Sequence, residues 1–377
     1  MKIGLVSPYN IYAPGGVQEA LKAYCKEFES RGYDISIISP RPRKIDSPID
    51  EKVHLIGQSK KLNTPFHTTV DVGVVTNLKE IDKLLEAEKF DILHFHEPWV
   101  PMMPSQVLSK SKAVNIGTLH AKLPDSIFSK SVEKAITPFA KSTIKRLNYI
   151  CAVSEMAGDY AHTITSKKIE LIPNGIDLEY YNPSSIKNSR NSTAKTVLFI
   201  GRLEKRKGVI NLLKAYKELN KTHPEIRLVI AGDGPKRKML EQYSAKNKLS
   251  KVEFVGRVSS SEKLELLKQA DLFCSPAIFG ESFGIVLLEA MAMGVVVVAG
   301  DNPGYRTVLK ERGQISLVDS QDTAAFTQKL ELLLYDDNLR KVWLEWSSEY
   351  IKQFNYKKLA DRYETIYKEQ LLKHAKK

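Results

Sequence analysis

Short apolar runs alternate with amphipathic stretches along this chain, and they do so in two successive series. The runs Lys2–Ser7, Asp34–Ser39, Val53–Ile56, Asp91–Phe95, Ala113–Leu119 and Tyr149–Val153 predict strands, with helices over Val17–Ser30 and Thr76–Glu88 among them. Runs that are apolar along their whole length fit strands covered on both faces, as in a parallel sheet flanked by helices. The polar stretch Asn182–Lys195 breaks the pattern and predicts a linker or surface loop. Strands are then predicted at Thr196–Ile200, Arg227–Ala231, Val252–Val255, Leu272–Ser275 and Val295–Ala299. The second series has helices near Val209–Leu219, Lys236–Lys246, Glu262–Lys268 and Gly284–Met293, and the chain is almost all helical after Ser320. The expected class is α/β, with two doubly wound domains in tandem and a helical C-terminal tail. Ligands of such sheets sit beyond the carboxyl ends of the strands, so two domains facing each other would hold one in a cleft.

With 377 residues the chain exceeds what one core usually organises, which also favours two domains. No apolar run approaches the roughly 20 residues that span a bilayer. The start, MKIGLVSP, has the character of a strand and lacks the features of a signal peptide, so a cytoplasmic chain is expected. Cys25, Cys151 and Cys274 lie far apart in apolar stretches without metal-ligand spacing, and are expected to be buried, reduced thiols. The net charge of +13 is compatible with nucleic acid, an anionic membrane surface or phosphorylated substrates, but the lysines are spread along the chain as on a solvated surface. One segment is denser. Between residues 105 and 150, Lys110, Lys112, Lys122, Lys130, Lys134, Lys141, Lys145 and Arg146 face only Asp125 and Glu133.

Several sites fall at predicted strand ends. Pro14-Gly15-Gly16-Val17-Gln18 lies between a strand and a helix, where glycines and a helix N-terminus suit an anion. A plain strand-to-helix turn explains the same residues, and the dinucleotide spacing G-x-G-x-x-G is absent. His120 ends one strand. His94 and His96 end another and share a face, but no third metal ligand is evident, so a satisfied polar edge is expected and no metal site is assigned. Gly201-Arg202-Leu203-Glu204-Lys205-Arg206-Lys207-Gly208 sets four cations between a strand and a helix, a fitting place for a diphosphate. Glu281 lies in a loop flanked by Gly280 and Gly284, and Glu289 is embedded in the apolar run Ile285–Met293. A buried carboxylate needs a partner. That partner is either a neighbouring cation or backbone, or the hydroxyls of a ligand, and the convergence of two acids, two glycines and a helix start favours the ligand.

Taken in order, PGGVQ at 14–18, HxHEP at 94–98, His120, PNGID at 173–177, GR…RKG at 201–208 and GESFGIVLLEAMA at 280–292 resemble the retaining glycosyltransferases of family 4, which have the GT-B fold. The last motif matches the family's pair of glutamates separated by seven residues. The resemblance covers nearly the whole chain and looks closest to bacterial phosphatidylinositol mannosyltransferases. It implies an acceptor domain over residues 1–190, a nucleotide-sugar donor domain over 191–355, and a helix over 356–377 that packs back on the first domain. By the same resemblance, His120, Arg202, Lys207 and Glu281 are the catalytic positions. Gly16, Arg202, Arg206, Lys207, Val258, Lys263, Glu281, Ser282, Phe283, Gly284, Ile285 and Glu289 bind the donor, and Tyr9 and Gln18 lie near the acceptor. The donor implied is a nucleotide sugar, GDP-mannose or a UDP-sugar such as UDP-glucose. No tightly bound cofactor is implied, and no Asp-x-Asp site speaks for a divalent cation.

The phosphatidylinositol enzymes carry basic residues just before and within the helix preceding the HxHEP strand. Here no Lys or Arg occurs between Lys61 and Lys79. The basic segment 105–150 is the alternative membrane-facing surface, on the inner face of the cell membrane, with a lipid or polyol acceptor as partner. Two other function classes compete. A sugar-nucleotide epimerase on the same fold would need no acceptor, and the motif set argues against it. A charge-driven membrane- or nucleic-acid-binding module would not need Glu281 or Glu289, and the chain lacks aromatic–basic stripes, so nucleic acid is not an expected partner.

Overall fold

The computed structural model describes residues 1–13, 15–44, 48–63, 69–100, 102–121, 127–182 and 194–376, with side chains for all of these except 61–63, 69–72 and 127–136. It divides into two compact units, Met1–Gly175 with Tyr356–Lys377, and Ile176–Asn355. Most of the expected linker Asn182–Lys195 lies outside the described residues.

In the first unit the chain runs β1 (Lys2–Val6), α1 (Gly16–Ser30), β2 (Asp34–Pro40), β3 (Val53–Ile56), β4 (Gln58–Asn63), β5 (Thr69–Val74), α2 (Leu78–Glu88), β6 (Ile92–His96), α3 (Met103–Lys110), β7 (Val114–Leu119), α4 (Ile127–Arg146), β8 (Tyr149–Ala152), α5 (Glu155–Ile164) and β9 (Ile169–Leu171). Seven strands pair in parallel in the order β3-β2-β1-β6-β7-β8-β9, while β4 and β5 form a separate antiparallel hairpin. The central strands β6 and β7 are buried along their full length. Continuous burial is the reason their sequences are apolar without alternation.

The second unit contains β10 (Thr196–Ile200), α6 (Val209–Thr222), β11 (Arg227–Ala231), α7 (Arg237–Lys246), β12 (Val252–Gly256), α8 (Ser260–Gln269), β13 (Leu272–Ser275), α9 (Ile285–Ala292), β14 (Val296–Gly300), α10 (Pro303–Arg306), β15 (Leu317–Val318), α11 (Thr323–Tyr335) and α12 (Asp337–Tyr350). Its six strands are parallel in the order β12-β11-β10-β13-β14-β15. Both sheets are doubly wound, as the alternation of apolar runs predicts. Side-chain caps set several helix starts. Asn77 accepts from the Lys79 N–H and begins α2 two residues later than its apolar pattern, and Ser259 with Glu262 forms a capping box that extends α8 backwards.

The last helix, α13 (Tyr356–Ala375), belongs to the first unit. Its apolar stripe of Tyr356, Leu359, Tyr363, Ile366 and Tyr367 packs into the core around Tyr24 and Phe28 of α1. Tyr24 meets Tyr356 and Tyr363 edge-on at ring-centroid distances of 5.1 and 5.2 Å. Each such pair adds about 1 kcal/mol to the area it buries. At the rim, Glu364 binds Arg31 at 2.7 Å and the Tyr33 hydroxyl at 2.6 Å. Inside, the Tyr367 hydroxyl lies 2.6 Å from His94 Nδ1, and Thr118 Oγ1 lies 2.7 Å from His94 Nε2. All three residues are buried, so His94 satisfies the polar edge expected of it. Tyr367→Phe leaves a buried ring nitrogen without its partner and is expected to destabilise the first unit by about 1–3 kcal/mol. Urea unfolding followed by Trp99 fluorescence checks this in a Trp343→Phe, Trp346→Phe background, because Trp99 is then the remaining indole.

Candidate active site

In each sheet the strand order reverses once, between β1 and β6 and between β10 and β13. Loops leaving neighbouring strands in opposite directions open a crevice there. In the second unit that position holds the loop 201–208 after β10 and the loop 276–284 after β13. The two loops are tied by a 2.8 Å bond from the Ile278 N–H to the Arg206 carbonyl. Gly208 has φ +68, and a Cβ there would lie 2.1 Å from the Pro276 carbonyl oxygen, so this approach requires glycine. From the far side, Asn302 Nδ2 donates to the Ala277 carbonyl and Ser320 Oγ to the Pro276 carbonyl, both at 2.9 Å.

These loops assemble a charge network. Glu204 binds Arg202 at 2.8 Å and Arg206 at 3.0 Å, and Glu281 binds Arg206 at 2.6 Å and Lys207 at 2.7 Å. Three cations share two carboxylates, which leaves one positive charge in excess. Lys207 and Glu281 are mostly buried, whereas Arg202 is half exposed. Gly284, with φ +116, caps α9, and its missing Cβ leaves room for the Tyr305 ring. Ser282, Phe283, Gly284 and Ile285 therefore lead into a helix N-terminus beside Glu281, with Phe283 buried against Phe354. Glu289 sits in α9 with only 3 % of its surface exposed. It takes 2.5 Å from Lys263 Nζ of α8 and 2.9 Å from the Tyr181 hydroxyl. The acid thus has a neighbouring cation, the simpler of the two partners its sequence allows, in addition to any ligand. Val258, half-buried, directly precedes the Ser259 cap of α8.

In the first unit Tyr9 follows β1, and Gly16 is the exposed first residue of α1. Pro14, the first residue of PGGVQ, lies outside the described residues. Gln18 is buried and its amide reaches the Asn10 carbonyl at 3.4 Å. His120 follows β7, with Nε2 2.8 Å from His96 Nδ1. Glu97 joins the group. Its Oε1 accepts from the His120 and Ala121 N–H groups, each at 2.5 Å, and its Oε2 from Trp99 Nε1 at 2.7 Å. Burial pushes the Glu97 carboxyl up to about 7 against those three donors. Burial also pulls the imidazoles down, His94 to about 3, His120 to about 4 and His96 well below its usual value. The Tyr9 phenol is raised by burial first and by the Glu97 charge second.

The sequence motifs contain Glu97 and Asn174 but do not indicate that Glu97 clamps the His120 peptide or that Asn174 bonds the His120 ring. Tyr181, the partner of Glu289, carries no sequence signal. In the basic segment, Lys122 and Asp125 and the side chains of Lys130, Glu133 and Lys134 lie outside the described residues, whereas Lys141, Lys145 and Arg146 are exposed on α4. No helix among the described residues is long and apolar enough to cross a membrane.

The family described as Glycosyltransferase Family 4 matches residues 14–180, and that described as glycosyl transferases group 1 matches residues 182–348. The chain belongs to the retaining glycosyltransferases of family 4, enzymes that move a sugar from a nucleotide-sugar donor to an acceptor. Its relatives include the phosphatidyl-myo-inositol mannosyltransferase of Mycolicibacterium smegmatis, 29 % identical over 97 % of this chain and 93 % of that protein. Among solved structures, a glycosyltransferase from Rickettsia africae superposes with a TM-score of 0.74 at 20 % identity, covering 98 % of both chains. Anabaena HepE in complex with UDP and glucose gives a TM-score of 0.76 at 17 % identity, covering 97 % of this chain and 99 % of that one. These likenesses show the GT-B fold.

Two outcomes follow from the charges. Replacing Glu289 with Ala removes the carboxylate from Lys263 in a largely buried setting. The second unit is expected to lose about 3–5 kcal/mol, with part of the loss restored by adding Lys263→Met, as read by thermal unfolding. The second outcome concerns pH. Three imidazoles with folded values below 6.5 bind fewer protons folded than unfolded, so their contribution to stability grows as pH rises from about 4 to 6.5. Glu97, raised from 4.5 to about 7, binds more protons folded, and its contribution falls over that range as pH rises. The urea midpoint should therefore increase from pH 4.5 to 6.5, and Glu97→Gln should steepen the increase by removing the opposing group.

Proposed function

We propose that this enzyme transfers a hexose, mannose from GDP-mannose, to a hydroxyl of a lipid or polyol-phosphate acceptor at a membrane surface. The observation that carries the donor half is the network of Arg202, Arg206 and Lys207 held by Glu204 and Glu281 beside the N-terminus of α9. Its excess positive charge and its helix N–H groups suit a nucleoside diphosphate. Glu289, beside Lys263 and Tyr181, is the group to bind the ribose hydroxyls, with Val258 bordering the nucleoside. Glu281 and the segment Ser282–Ile285 hold the donor sugar and its phosphate. Gly16 meets the diphosphate, and His120 lies beside the transferred sugar. Tyr9 and Gln18 contact the acceptor. Mannose and a lipid acceptor are supported by the likeness to the mycobacterial phosphatidyl-myo-inositol mannosyltransferase along nearly its whole length. The exposed Lys141, Lys145 and Arg146 of α4 supply the basic face for an anionic surface.

In this reading the bond from the anomeric carbon to the diphosphate oxygen breaks as the acceptor oxygen bonds to the same face. The acceptor proton passes to the leaving phosphate oxygen. Arg202 and Lys207 stabilise the separating diphosphate, so catalysis is positioning plus electrostatics, with no covalent bond to Glu281.

A donor screen by nucleotide release, with GDP-mannose and UDP-glucose against phosphatidylinositol vesicles and soluble polyols, tests the assignment. GDP release that depends on vesicles supports it. UDP release from UDP-glucose with the same acceptors points to a glucosyltransferase instead. Glu281→Ala should lower turnover by about 10²- to 10³-fold while circular dichroism is unchanged. Near-normal turnover in that variant would remove Glu281 from the site.

A further inference from the structure

His96 has no role in the reading above, yet it is fully buried at the end of β6 and its ring lies against that of His120. The two rings are nearly parallel, with centroids 5.0 Å apart and His96 Nδ1 2.8 Å from His120 Nε2. One of these nitrogens must carry the hydrogen. A neutral His96 has a single N–H, and only its Nδ1 has a partner, because Nε2 is buried with none. A hydrogen on Nε2 would be an orphaned buried donor, which is rarer than an orphaned acceptor, so it belongs on Nδ1. His96 Nδ1–H therefore points at His120 Nε2, which accepts, and the hydrogen of a neutral His120 ring sits on Nδ1. His96 Nε2 is then a bare lone pair, and it is buried without a hydrogen-bond partner. Native proteins seldom leave a polar atom so placed without a reason.

We infer that His96 is a positioning residue, whose Nδ1–H fixes the tautomer and ring plane of His120 beside the transferred sugar. The inference rests on the placement of His120 at the donor sugar proposed above. With Nε2 accepting from His96, the one lone pair of the neutral His120 ring is committed. The ring serves as a fixed wall of the sugar site and leaves the acceptor proton to the departing phosphate.

The test uses the amide mimics of the two ring nitrogens. Asn puts an N–H donor near the place of Nδ1, and Gln puts one near that of Nε2. Steady-state kinetics on full-length His96→Asn, His96→Gln and His96→Phe should show Asn close to wild type. Gln and Phe should lose about 10²-fold in kcat with little change in the donor KM. Equal impairment of Asn and Gln, or a Gln variant as active as wild type, overturns the inference. Long-range ¹⁵N NMR of the histidine-labelled wild-type enzyme provides a reading independent of variant folding. Nδ1–H forms for both His96 and His120 are expected, and an Nε2–H form for His120 overturns the inference. His120→Ala separates the two levels of the argument. Normal turnover in that variant removes His120 from the sugar site. Lost turnover together with a fully active His96→Gln leaves the site intact and removes only the role of His96.

Discussion

Parallel pairing is the constraint on which the rest of this structure depends. A parallel strand cannot be followed by a tight hairpin to its neighbour, so each is followed by a crossover, and every strand of a sheet delivers its chain to the same edge. Where the order reverses, between β1 and β6 and between β10 and β13, successive loops turn away from each other. The residues with chemistry to offer gather at these positions. Tyr9 and Gly16 follow β1, and His96 and Glu97 stand at the end of β6. Arg202 to Lys207 follow β10, and Glu281 follows β13. His120, after the neighbouring strand β7, is drawn into the first group through His96 and Glu97.

Much of this was legible in the sequence, because burial on both faces writes a strand as an unbroken apolar run. Where a strand is short or is not a continuous apolar run, the signal fades. The hairpin β4–β5 is built from QSKKLN and TVDVGV, neither a continuous apolar run, and it pairs outside the main sheet. The strands β9 and β15 are three and two residues long at sheet edges, too short for any period. The C-terminal helix was expected on the first domain, and its stripe of tyrosines accounts for that placement. At the site, positions marked by glycine, charge or a strand end were legible as candidates. Partners were not, because pairing over distance is not written locally: Tyr181 and Glu289 are 108 residues apart, and His94 and Tyr367 are 273 apart.

The acids of the second unit have a structural task that precedes any chemistry. Arg202, Arg206 and Lys207 would repel one another if left alone, and long cationic side chains without partners sample many rotamers. Glu204 and Glu281 hold them in place, with Arg206 bridging the two acids through separate nitrogens of its planar fork. Cations fixed in this way need little reorganisation when charge develops on a leaving group, which is where electrostatic catalysis gains most. The same carboxylate can therefore orient the cations and, in the function proposed above, meet a sugar hydroxyl. Glu281, shared by Arg206 and Lys207 in a loop, is suited to both tasks, and Glu289, set within a helix against Lys263, is suited to holding one fixed point.

The first unit solves a different problem. His94 and His96 are buried and His120 is partly so, all three are held neutral, and the buried acid Glu97 is engaged by two backbone N–H groups and an indole. None of the four is arranged as a free base. An inverting mechanism would require such a base to activate the acceptor from the opposite face of the sugar, whereas retention with the leaving phosphate as proton acceptor requires none. The peptide clamp of Glu97 on His120 and Ala121, and the ring contacts of His120 with His96 and Asn174, then have a common purpose. They immobilise the end of β7, and in the function proposed above a short-lived, positively charged sugar would meet there a rigid wall that cannot take its place as nucleophile. In that arrangement the burial that silences the histidines as bases is what makes them useful as structure.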